Sequence, residues 1–472
     1  MKRWTAFGAA LFLASCSGAN VDGPVTMSMI SSANTVPGDL IAATAQGLVS
    51  FDAEGRIAPA LAERWIVIDD GKSIIFRIRR STWADGRPVN SIDVAQGLSR
   101  ALSAGSRNPL KPLFTDIEKI TAMTGEVLEI RLKTPQPELL QLLAQPEMAI
   151  WRNRPDNGTG PYRIHSKRDD VTRLRLIQDG SGDDILQSDT QHSDIRFRRE
   201  TASAAVTRFA KREIALVTGG DFNALPLVRP AGIATSQFSV DPAYGLFGLI
   251  ISAQSRALSP VNARRALAMA IDRERLVGLF GVNLWKPQYS VLPSQLDSAN
   301  PPAALEWVAL DQAARIARAK TYLAQAAPLP VIRIALPRGP GARLLFAALS
   351  DDWRRIGVNT VLVTANAPAD LRLIDEVAPQ QPALWYLERL SCAHGAVCSP
   401  KTQTALTVAV SAQTLAARST AIAVLDAAMA SEQPYIPIAL PLRWSLVSPE
   451  LTMWRPNAFA LHPLNRLRDD KR

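Results

Sequence analysis

Residues 46–102 read QGLVSFDAEGRIAPALAERWIVIDDGKSIIFRIRRSTWADGRPVNSIDVAQGLSRAL, and this stretch decides the fold. Two apolar, strand-like runs, 65–68 and 73–78, flank the turn sequence Asp69-Asp70-Gly71-Lys72, which is typical of a β-hairpin. Asn90 and Asp93 have the spacing of a helix capping box, and apolar residues at helical spacing follow them. The stretch therefore predicts a hairpin that leads into a helix.

The same stretch resembles the signature of the family 5 extracellular solute-binding proteins, the peptide and nickel binders of ABC importers. Two further blocks resemble this family in the same order, NGTGPYRI at 157–164 and VNARRALAMAIDRERLV at 261–277. In the first of these, Gly158 and Gly160 allow a tight or left-handed backbone. The matching positions in the opening stretch are Gly47, Leu48, Val49, Phe51, Asp52, Gly55, Pro59, Leu61, Ala62, Trp65, Asp69, Asp70, Gly71, Phe76, Arg79, Asp85, Gly86, Pro88, Asp93 and Val94.

The resemblance covers nearly all of the mature chain and implies a fold of the α/β class. It implies a type II periplasmic-binding-protein fold, in which two lobes and an additional domain close about a hinge, here near Ser252. The alternation of strands with helices along the sequence independently favours α/β architecture. The implied division is a discontinuous domain I over 25–40, 157–250 and 436–472, domain II over 41–156, and domain III over 251–435.

The N-terminus has the features of an export signal. A basic start and an apolar run too short to span a bilayer precede Leu13-Ala14-Ser15-Cys16, which matches a bacterial lipobox. This pattern predicts a lipoprotein signal peptide over 1–15, lipid attachment at Cys16 with palmitate among the acyl chains, and a tether over 16–24. The protein is then expected on the periplasmic side of a bacterial membrane, in the cell envelope. An ordinary secretory signal with a chance cysteine is the alternative.

Composition narrows the possible partners. The 472 residues carry a formal net charge of +10, with 47% hydrophobic and 20% charged residues. This hydrophobic content is enough for a large core and excludes a disordered chain. A basic balance is compatible with nucleic acid, an anionic membrane surface or an acidic ligand. However, no basic run is long enough for a nucleic-acid arm and aromatic residues do not alternate with basic ones, so no nucleic acid is expected.

The solute is expected to contact the segment 370–399, because the resembled family binds its ligand there, between two lobes. The candidate ligand-binding residues are Asp375, Trp385, Tyr386, Ser32 and Asn34. The carboxylate is the candidate partner of a peptide α-amino group, and the two aromatic rings are candidate contacts for side chains. The serine and the asparagine lie in a loop that lacks the family's Leu-Asp-Pro element. The alternative is that the acid lies on the surface and both aromatics lie in the core.

With Cys16 lipidated, two cysteines remain, Cys392 and Cys398, and they are six residues apart. An oxidising compartment favours a disulfide between them. A metal site that also uses His394 is the alternative, although three soft ligands in one short tract make an incomplete site. No dedicated metal site is expected.

Catalytic motifs are missing from the sequence. None of the four histidines lies in an HExxH motif, and no Gly-x-Ser-x-Gly elbow is present, so neither catalytic residues nor a cofactor are expected. The resemblance implies a monomeric substrate-binding component that captures a solute, an oligopeptide in the leading interpretation. It would deliver this solute to an ABC permease and its ATPase. A non-peptide solute such as a nickel chelate or a sugar, an exported hydrolase, and a lipid-anchored receptor or chaperone remain as alternatives.

Overall fold

The computed structural model describes residues 24–31, 38–152, 157–168, 170–177, 194–294, 296, 300–325 and 327–468. The expected signal peptide, Cys16, Ser32 and Asn34 lie outside the described residues. The strands are β1 Val25–Ile30, β2 Val49–Phe51, β3 Ile57–Pro59, β4 Ala62–Ile68, β5 Ser73–Ile78, β6 Ile117–Thr124, β7 Val127–Leu132, β8 Tyr162–Arg168, β9 Val171–Leu176, β10 Ile195–Glu200, β11 Leu216–Asp221, β12 Phe238–Asp241, β13 Gly245–Ile251, β14 Ile332–Leu336, β15 Thr360–Thr364, β16 Leu371–Val377, β17 Tyr435–Ala439 and β18 Arg443–Val447. The helices are α1 Gly38–Thr44, α2 Ser91–Leu102, α3 Leu139–Leu143, α4 Ala202–Ala210, α5 Val261–Ala270, α6 Arg273–Gly278, α7 Gln312–Ala324, α8 Pro340–Arg354, α9 Ala383–Arg389, α10 Pro400–Ser411 and α11 Leu415–Glu432.

The predicted hairpin and helix of the opening stretch are confirmed. Strands β4 and β5 pair antiparallel across the turn, with Ile68 opposite Ser73. The Asn90 side chain accepts a hydrogen bond from the Asp93 backbone N–H at 2.8 Å, which caps α2. The apolar residues Val94 and Leu98 of α2 are buried against this sheet, so the helical spacing read from the sequence marks the face that packs.

Three main sheets organise the described residues. The seven-stranded sheet has the order β12-β18-β11-β1-β10-β9-β8, and it draws strands from the beginning, the middle and the end of the chain. The four-stranded sheet, β4-β5-β7-β6, is antiparallel and carries the opening stretch. The five-stranded sheet has the order β15-β14-β16-β13-β17. This arrangement of mixed sheets and helices is the α/β architecture that the sequence predicts.

The chain passes between the seven-stranded and five-stranded sheets twice, and both passages are short. One joins β12 to β13 through residues 242–244, and the other joins β17 to β18 through residues 440–442. The hinge was expected near Ser252, directly after β13. However, β13 pairs along its length with β16 and over most of it with β17, so it already belongs to the five-stranded sheet. The passage between the sheets therefore precedes β13. A boundary at 250 would place β13 in domain I, and a boundary at 436 would place most of β17 there. Both strands belong to the five-stranded sheet. The rest of the domain division stays a prediction.

The motif around Gly160 makes a close backbone contact with the end of α1. The Gly160 N–H donates to the Thr44 carbonyl at 3.1 Å. A Cβ added at Gly160 would overlap the backbone of Ala43, Thr44 and Ala45. Neither Gly158 nor Gly160 is among the residues with positive φ. The two glycines therefore allow close backbone packing and do not adopt a left-handed conformation.

None of the described helices combines the length and the apolar character needed to cross a bilayer. The longest of them, α11, carries a buried carboxylate at Asp426.

Candidate functional site

A cavity of about 340 Å³ lies between the region around β6, β7 and α3 and the region that contains α9 and α11. We call it the interdomain cavity. The first side is contributed by residues 112–116 and 136–138, and the second by residues that fall between 292 and 426. Its volume is at the lower end of the roughly 300–1,000 Å³ of small-molecule sites. The cavity has the dimensions of a site for one small solute.

Two helices aim their side chains into this cavity because of helical periodicity. On α9, Trp385 and Glu388 line the cavity, and Trp385, which is only 6% exposed, belongs to the same core cluster as the fully buried Tyr386. On α11, one face lines the cavity at spacings of three and four residues. The lining residues of α11 are Leu415, Arg418, Ser419, Ile422, Ala423 and Asp426.

Carboxylates outnumber cations in the lining of the cavity. Asp116, Glu138, Glu388 and Asp426 contribute carboxylates, and Arg418 contributes the guanidinium. Burial raises the pKa of the Glu388 carboxyl, the neighbouring Asp116 carboxylate raises it further, and the Arg418 guanidinium opposes both effects.

Glu138 and Asp426 have raised pKa values for a similar reason. Burial raises the pKa of Glu138, against the lowering effects of its own backbone N–H and of Arg418. Burial also raises the pKa of Asp426, and the hydrogen bond that its Oδ2 accepts from the Ala303 N–H at 2.7 Å opposes this. The cavity therefore holds one buried acid, Asp426, and three half-buried acids, with Arg418 as the cation of the lining.

Several polar atoms in the lining have no hydrogen-bond partner among the described residues. They are Gln136 Oε1, Gln380 Oε1 and Arg418 Nε. The amide of Gln136 is oriented, since its Nε2 donates to the Leu113 carbonyl at 3.1 Å and leaves its oxygen as an acceptor. Buried polar atoms are normally paired, but these atoms have almost no accessible surface and do not open into the cavity.

Direct hydrogen bonds join the two sides of the cavity. Gln145 Nε2 donates to the Pro379 carbonyl at 2.6 Å, and the Gln381 N–H donates to Gln141 Oε1 at 3.1 Å. Arg418 Nη1 donates to the carbonyl of Pro135 at 3.2 Å. The cavity is thus enclosed by two regions that are already in contact.

A comparison with known protein families identifies the family of this chain. The family described as bacterial extracellular solute-binding proteins, family 5 Middle, matches residues 56–373. The chain belongs to this family. This result confirms the resemblance that the sequence motifs indicated.

Solved structures with the same fold cover almost the whole of this solute-binding protein. The murein tripeptide binding protein MppA of Escherichia coli superimposes with a TM-score of 0.78 at 19% identity, covering 94% of this chain and 98% of that one. OppA of Haemophilus influenzae, solved in complex with RPPGFSPFR, gives a TM-score of 0.77 at 15% identity, covering 95% and 98%. The type II periplasmic-binding-protein fold is therefore confirmed.

Curated relatives align over shorter stretches. The periplasmic oligopeptide-binding protein OppA of Escherichia coli is 24% identical over 356 residues, which are 67% of this chain and 64% of that protein. The probable deoxycholate-binding periplasmic protein YgiS of Escherichia coli is 31% identical over 121 residues, 22% of this chain and 23% of that protein. The chain thus spans less than two thirds of the length of either relative.

Asp375 of this solute-binding protein does not line the interdomain cavity. It lies on β16 and forms an ion pair with Arg443 of β18, whose Nη1 is 2.8 Å from Asp375 Oδ1. Burial raises the pKa of Asp375, and the Arg443 guanidinium opposes this shift. The pair links the five-stranded and seven-stranded sheets beside the two passages between them. Its carboxylate is therefore already engaged, and it is neither a free surface acid nor a group exposed to a solute in the cavity.

The other predicted residues are divided between the cavity, the core and the part of the chain outside the described ranges. Trp385 lines the cavity, and its role as a ligand contact stays a prediction. Tyr386 is a core residue with 0% exposure, as the alternative interpretation had it. Ser32 and Asn34 lie outside the described residues.

Sequence reasoning did not assign the remaining polar residues of the cavity. Glu388 lies in the segment that was expected to contact the solute, but Asp116, Glu138 and Arg418 come from segments that were not considered. The sequence carries no clear signal for Arg418 and Asp426, because α11 is apolar on most of its faces and only weakly amphipathic.

The structure joins Cys392 and Cys398 in a disulfide, with their Cα atoms 5.6 Å apart. This is the pairing that an oxidising compartment favours. Because both thiols are used in this bond, the alternative metal site with His394 has no support. Among the described residues, no group of three or more His, Cys, Asp or Glu side chains could hold a metal ion.

Proposed function

We propose that this protein is the substrate-binding component of an ABC importer and that its solute is a short peptide. The observation that carries this proposal is the interdomain cavity, whose lining combines four carboxylates, the guanidinium of Arg418 and the indole of Trp385. A short peptide offers the complementary groups, namely an ammonium, amide N–H groups and apolar side chains. The volume of about 340 Å³ favours two or three residues over a long peptide.

Family membership and the relatives support the same role. The curated relatives include proteins named as oligopeptide-binding, dipeptide-binding and nickel-binding. In the proposed cycle the two lobes close around the solute about the passages at 242–244 and 440–442. The closed monomer then docks on the permease subunits, which work with their ATPase. No chemical conversion of the solute is part of this proposal.

Solute capture is tested by thermal unfolding of the mature protein with a panel of di- and tripeptides, sugars and nickel chelates. A peptide present at about 100 times its Kd should stabilise the folded state by about 2.7 kcal/mol. Ala423→Trp places a large side chain on the face of α11 that lines the cavity, and it should abolish this shift. The matched control Ala416→Trp changes an exposed position of the same helix and should keep it.

The outcome also separates the alternatives. A shift with a sugar or a nickel chelate alone would replace the peptide but keep the capture role. Release of a modified product would favour an exported hydrolase, and the lack of any shift across the whole panel would contradict solute capture.

We also propose that the protein is held at the periplasmic side of a bacterial membrane by lipid on Cys16. The lipobox Leu13-Ala14-Ser15-Cys16 supports this, and the naming of relatives as periplasmic is in agreement. Cys16→Ala should move the protein from the membrane fraction to the soluble fraction, because each buried CH₂ of the acyl chains contributes about 0.8 kcal/mol to anchoring. Unchanged membrane association of this variant in cell fractionation would contradict the anchor.

A further inference from the structure

We infer that one face of the seven-stranded sheet binds the anionic headgroups of the membrane to which the protein is anchored. Arginines of β8, β9 and β10 form this face, which we call the arginine face. Its members are Arg163, Arg168, Arg173, Arg175, Arg196 and Arg198. The inference rests on the proposed lipid anchor at Cys16, since it states how the anchored protein lies against its membrane.

The register of the three strands places these arginines on one side of the sheet. Arg173 of β9 is opposite Arg196 of β10, and Arg175 of β9 is opposite Arg163 of β8. Residues directly opposite one another point to the same side, and so do residues two positions apart along one strand. Two arginine–arginine pairs therefore lie next to each other across the three strands.

A second row of the same face is centred on Val171 of β9. Val171 is opposite Arg198 of β10 and also opposite Arg168 of β8. The residues that alternate with these positions, such as Leu174 and Phe197, are buried in the core on the other side of the sheet. The period of two along each strand thus separates an apolar core side from a basic outer side.

These charges have no compensation from the fold itself. Like charges directly opposite each other on neighbouring strands destabilise a sheet. The acid on this side of β10 is Glu200, and it is already paired with Arg208 of α4 at 3.1 Å. Neither an ion pair nor a side-chain hydrogen bond to another described residue holds Arg168, Arg173, Arg175, Arg196 or Arg198.

Most of the arginine face is open to solvent. Helix α4 packs on this sheet at β1 and β11, whereas four arginines of β8, β9 and β10 are exposed and Arg198 is half-buried. The exposed ones are Arg168, Arg173, Arg175 and Arg196. A guanidinium can form two parallel hydrogen bonds with a phosphate, so an array of guanidinium groups fits the phosphates of a lipid surface.

The expected lipid anchor lies beside this face, which is an independent argument for a membrane as the partner. Strand β1 pairs parallel with β10, and Thr26 is opposite Arg196. Cys16 lies nine positions before Val25, the first residue of β1. Since an extended chain spans at most roughly 3.6 Å per residue, the acylated cysteine lies within about 32 Å of the start of β1. The anchor therefore keeps the arginine face close to the bilayer.

Anchor and arginine face complement each other physically. Attraction to anionic headgroups falls off within a Debye length, about 8 Å at physiological ionic strength, so the face acts once the anchor has brought it to the surface. A basic patch next to acyl chains is a combination that gives stable membrane attachment. The contact leaves the interdomain cavity accessible, because the described residues that line this cavity all lie outside β8, β9 and β10.

The test uses the mature protein with Cys16→Ala, so that acyl chains do not contribute. Its sedimentation is measured with vesicles of phosphatidylcholine alone and with vesicles that contain about 30% phosphatidylglycerol. At about 50 mM salt the anionic vesicles should bind the protein at least about tenfold tighter than the neutral ones. At about 500 mM salt this difference should disappear, because the Debye length falls to a few Å.

A triple variant removes the centre of the arginine face. It combines Arg173→Gln, Arg175→Gln and Arg196→Gln in the Cys16→Ala protein, and it should bind the anionic vesicles about tenfold more weakly or worse. It should unfold at the same temperature as its parent or slightly above, since the like-charge pairs are gone. This separates a loss of the binding surface from a loss of structure.

The matched control combines Arg318→Gln, Arg338→Gln and Arg343→Gln, which change three exposed arginines outside the seven-stranded sheet. This control has the same net charge as the first variant and should keep the vesicle affinity of the parent. Equal binding of the two triple variants would show that overall charge, and not the arginine face, attracts the protein to lipid. Such a result would overturn the inference.

Two further results also decide between outcomes. Absence of a preference of the parent for anionic vesicles would overturn the inference, as it would if the four aspartates of segment 178–193, outside the described residues, neutralise the face. Failure of the lipid anchor is distinguishable, because it is measured in cells fractionated at about 500 mM salt, where the arginine face no longer holds. Cys16→Ala protein that stays in the membrane fraction under these conditions would contradict the anchor and leave the vesicle result valid.

Discussion

Replacing Arg273 by leucine is expected to lower the free energy of unfolding by about 3–5 kcal/mol. Arg273 belongs to the IDRE segment of the block at 261–277, and its side chain is among the largest that are fully buried. Its Nε donates to the Pro437 carbonyl at 2.8 Å, and its Nη1 donates to the Ala268 carbonyl at 3.0 Å. Leucine would leave both carbonyls buried without a donor.

The guanidinium of Arg273 also packs between aromatic rings. Its Cζ lies 4.9 Å from the centroid of the Tyr289 ring and 5.5 Å from that of Trp307. Burial lowers the pKa of Arg273 to about 10, so the side chain is still charged at neutral pH. The aromatic faces supply part of the compensation that a buried cation requires, and they lose this contact in the leucine variant.

Urea unfolding measures this effect. Arg273→Lys should be intermediate, since an ammonium keeps the charge but cannot reproduce the fixed geometry of the guanidinium. Arg343→Ala, at an exposed position of α8, should stay within about 0.5 kcal/mol of the wild type. An Arg273→Leu protein with the wild-type denaturation midpoint would show that these hydrogen bonds do not contribute to stability.

Replacing Gly160 by alanine is expected to cost about 3 kcal/mol or more and to reduce the yield of folded protein. The new Cβ would lie 2.5 Å from the backbone nitrogen of Ala45 and would overlap the neighbouring backbone of Ala43 and Thr44. Backbone atoms at the end of α1 cannot move aside singly, because they are fixed by the helix and by the hydrogen bond from Gly160 itself.

The control for this variant is Gly105→Ala, since a Cβ at Gly105 meets nothing within 4 Å and its φ is not positive. Its stability should stay close to that of the wild type or rise slightly, because alanine restricts the unfolded chain. Equal stabilities of the Gly160 and Gly105 variants in thermal unfolding would rule out the close contact as the reason for glycine at 160.

Gly160 and Arg273 show that a sequence motif can identify a family without revealing the contacts that explain its residues. The block at 157–164 and the block at 261–277 were recognised from their order and residue types. The reason for Gly160 is a contact with residues more than a hundred positions earlier. Arg273 has one partner inside its own block, the Ala268 carbonyl, but the Pro437 carbonyl and the rings of Tyr289 and Trp307 lie outside it. A sequence pattern does not encode which distant backbone will lie against a given residue.

The site was harder to predict than the fold for the same reason. Asp375 was a sound candidate from its segment, but the fold brings Arg443 within 2.8 Å of it, and an engaged carboxylate no longer offers a free charge. On α9, Trp385 and Tyr386 both belong to one core cluster, and of the two it is Trp385 that also borders the cavity.

By itself, the sequence determined the elements whose signals are local. The hairpin turn at 69–72, the cap at Asn90 and the three family blocks depend on neighbours within a few residues, and they were enough to define the family and the α/β fold. Only the tertiary structure decided the charge of the cavity. Its acids, Asp116, Glu138, Glu388 and Asp426, lie on separate segments of a chain with a net charge of +10, and only folding brings them to the lining of one cavity.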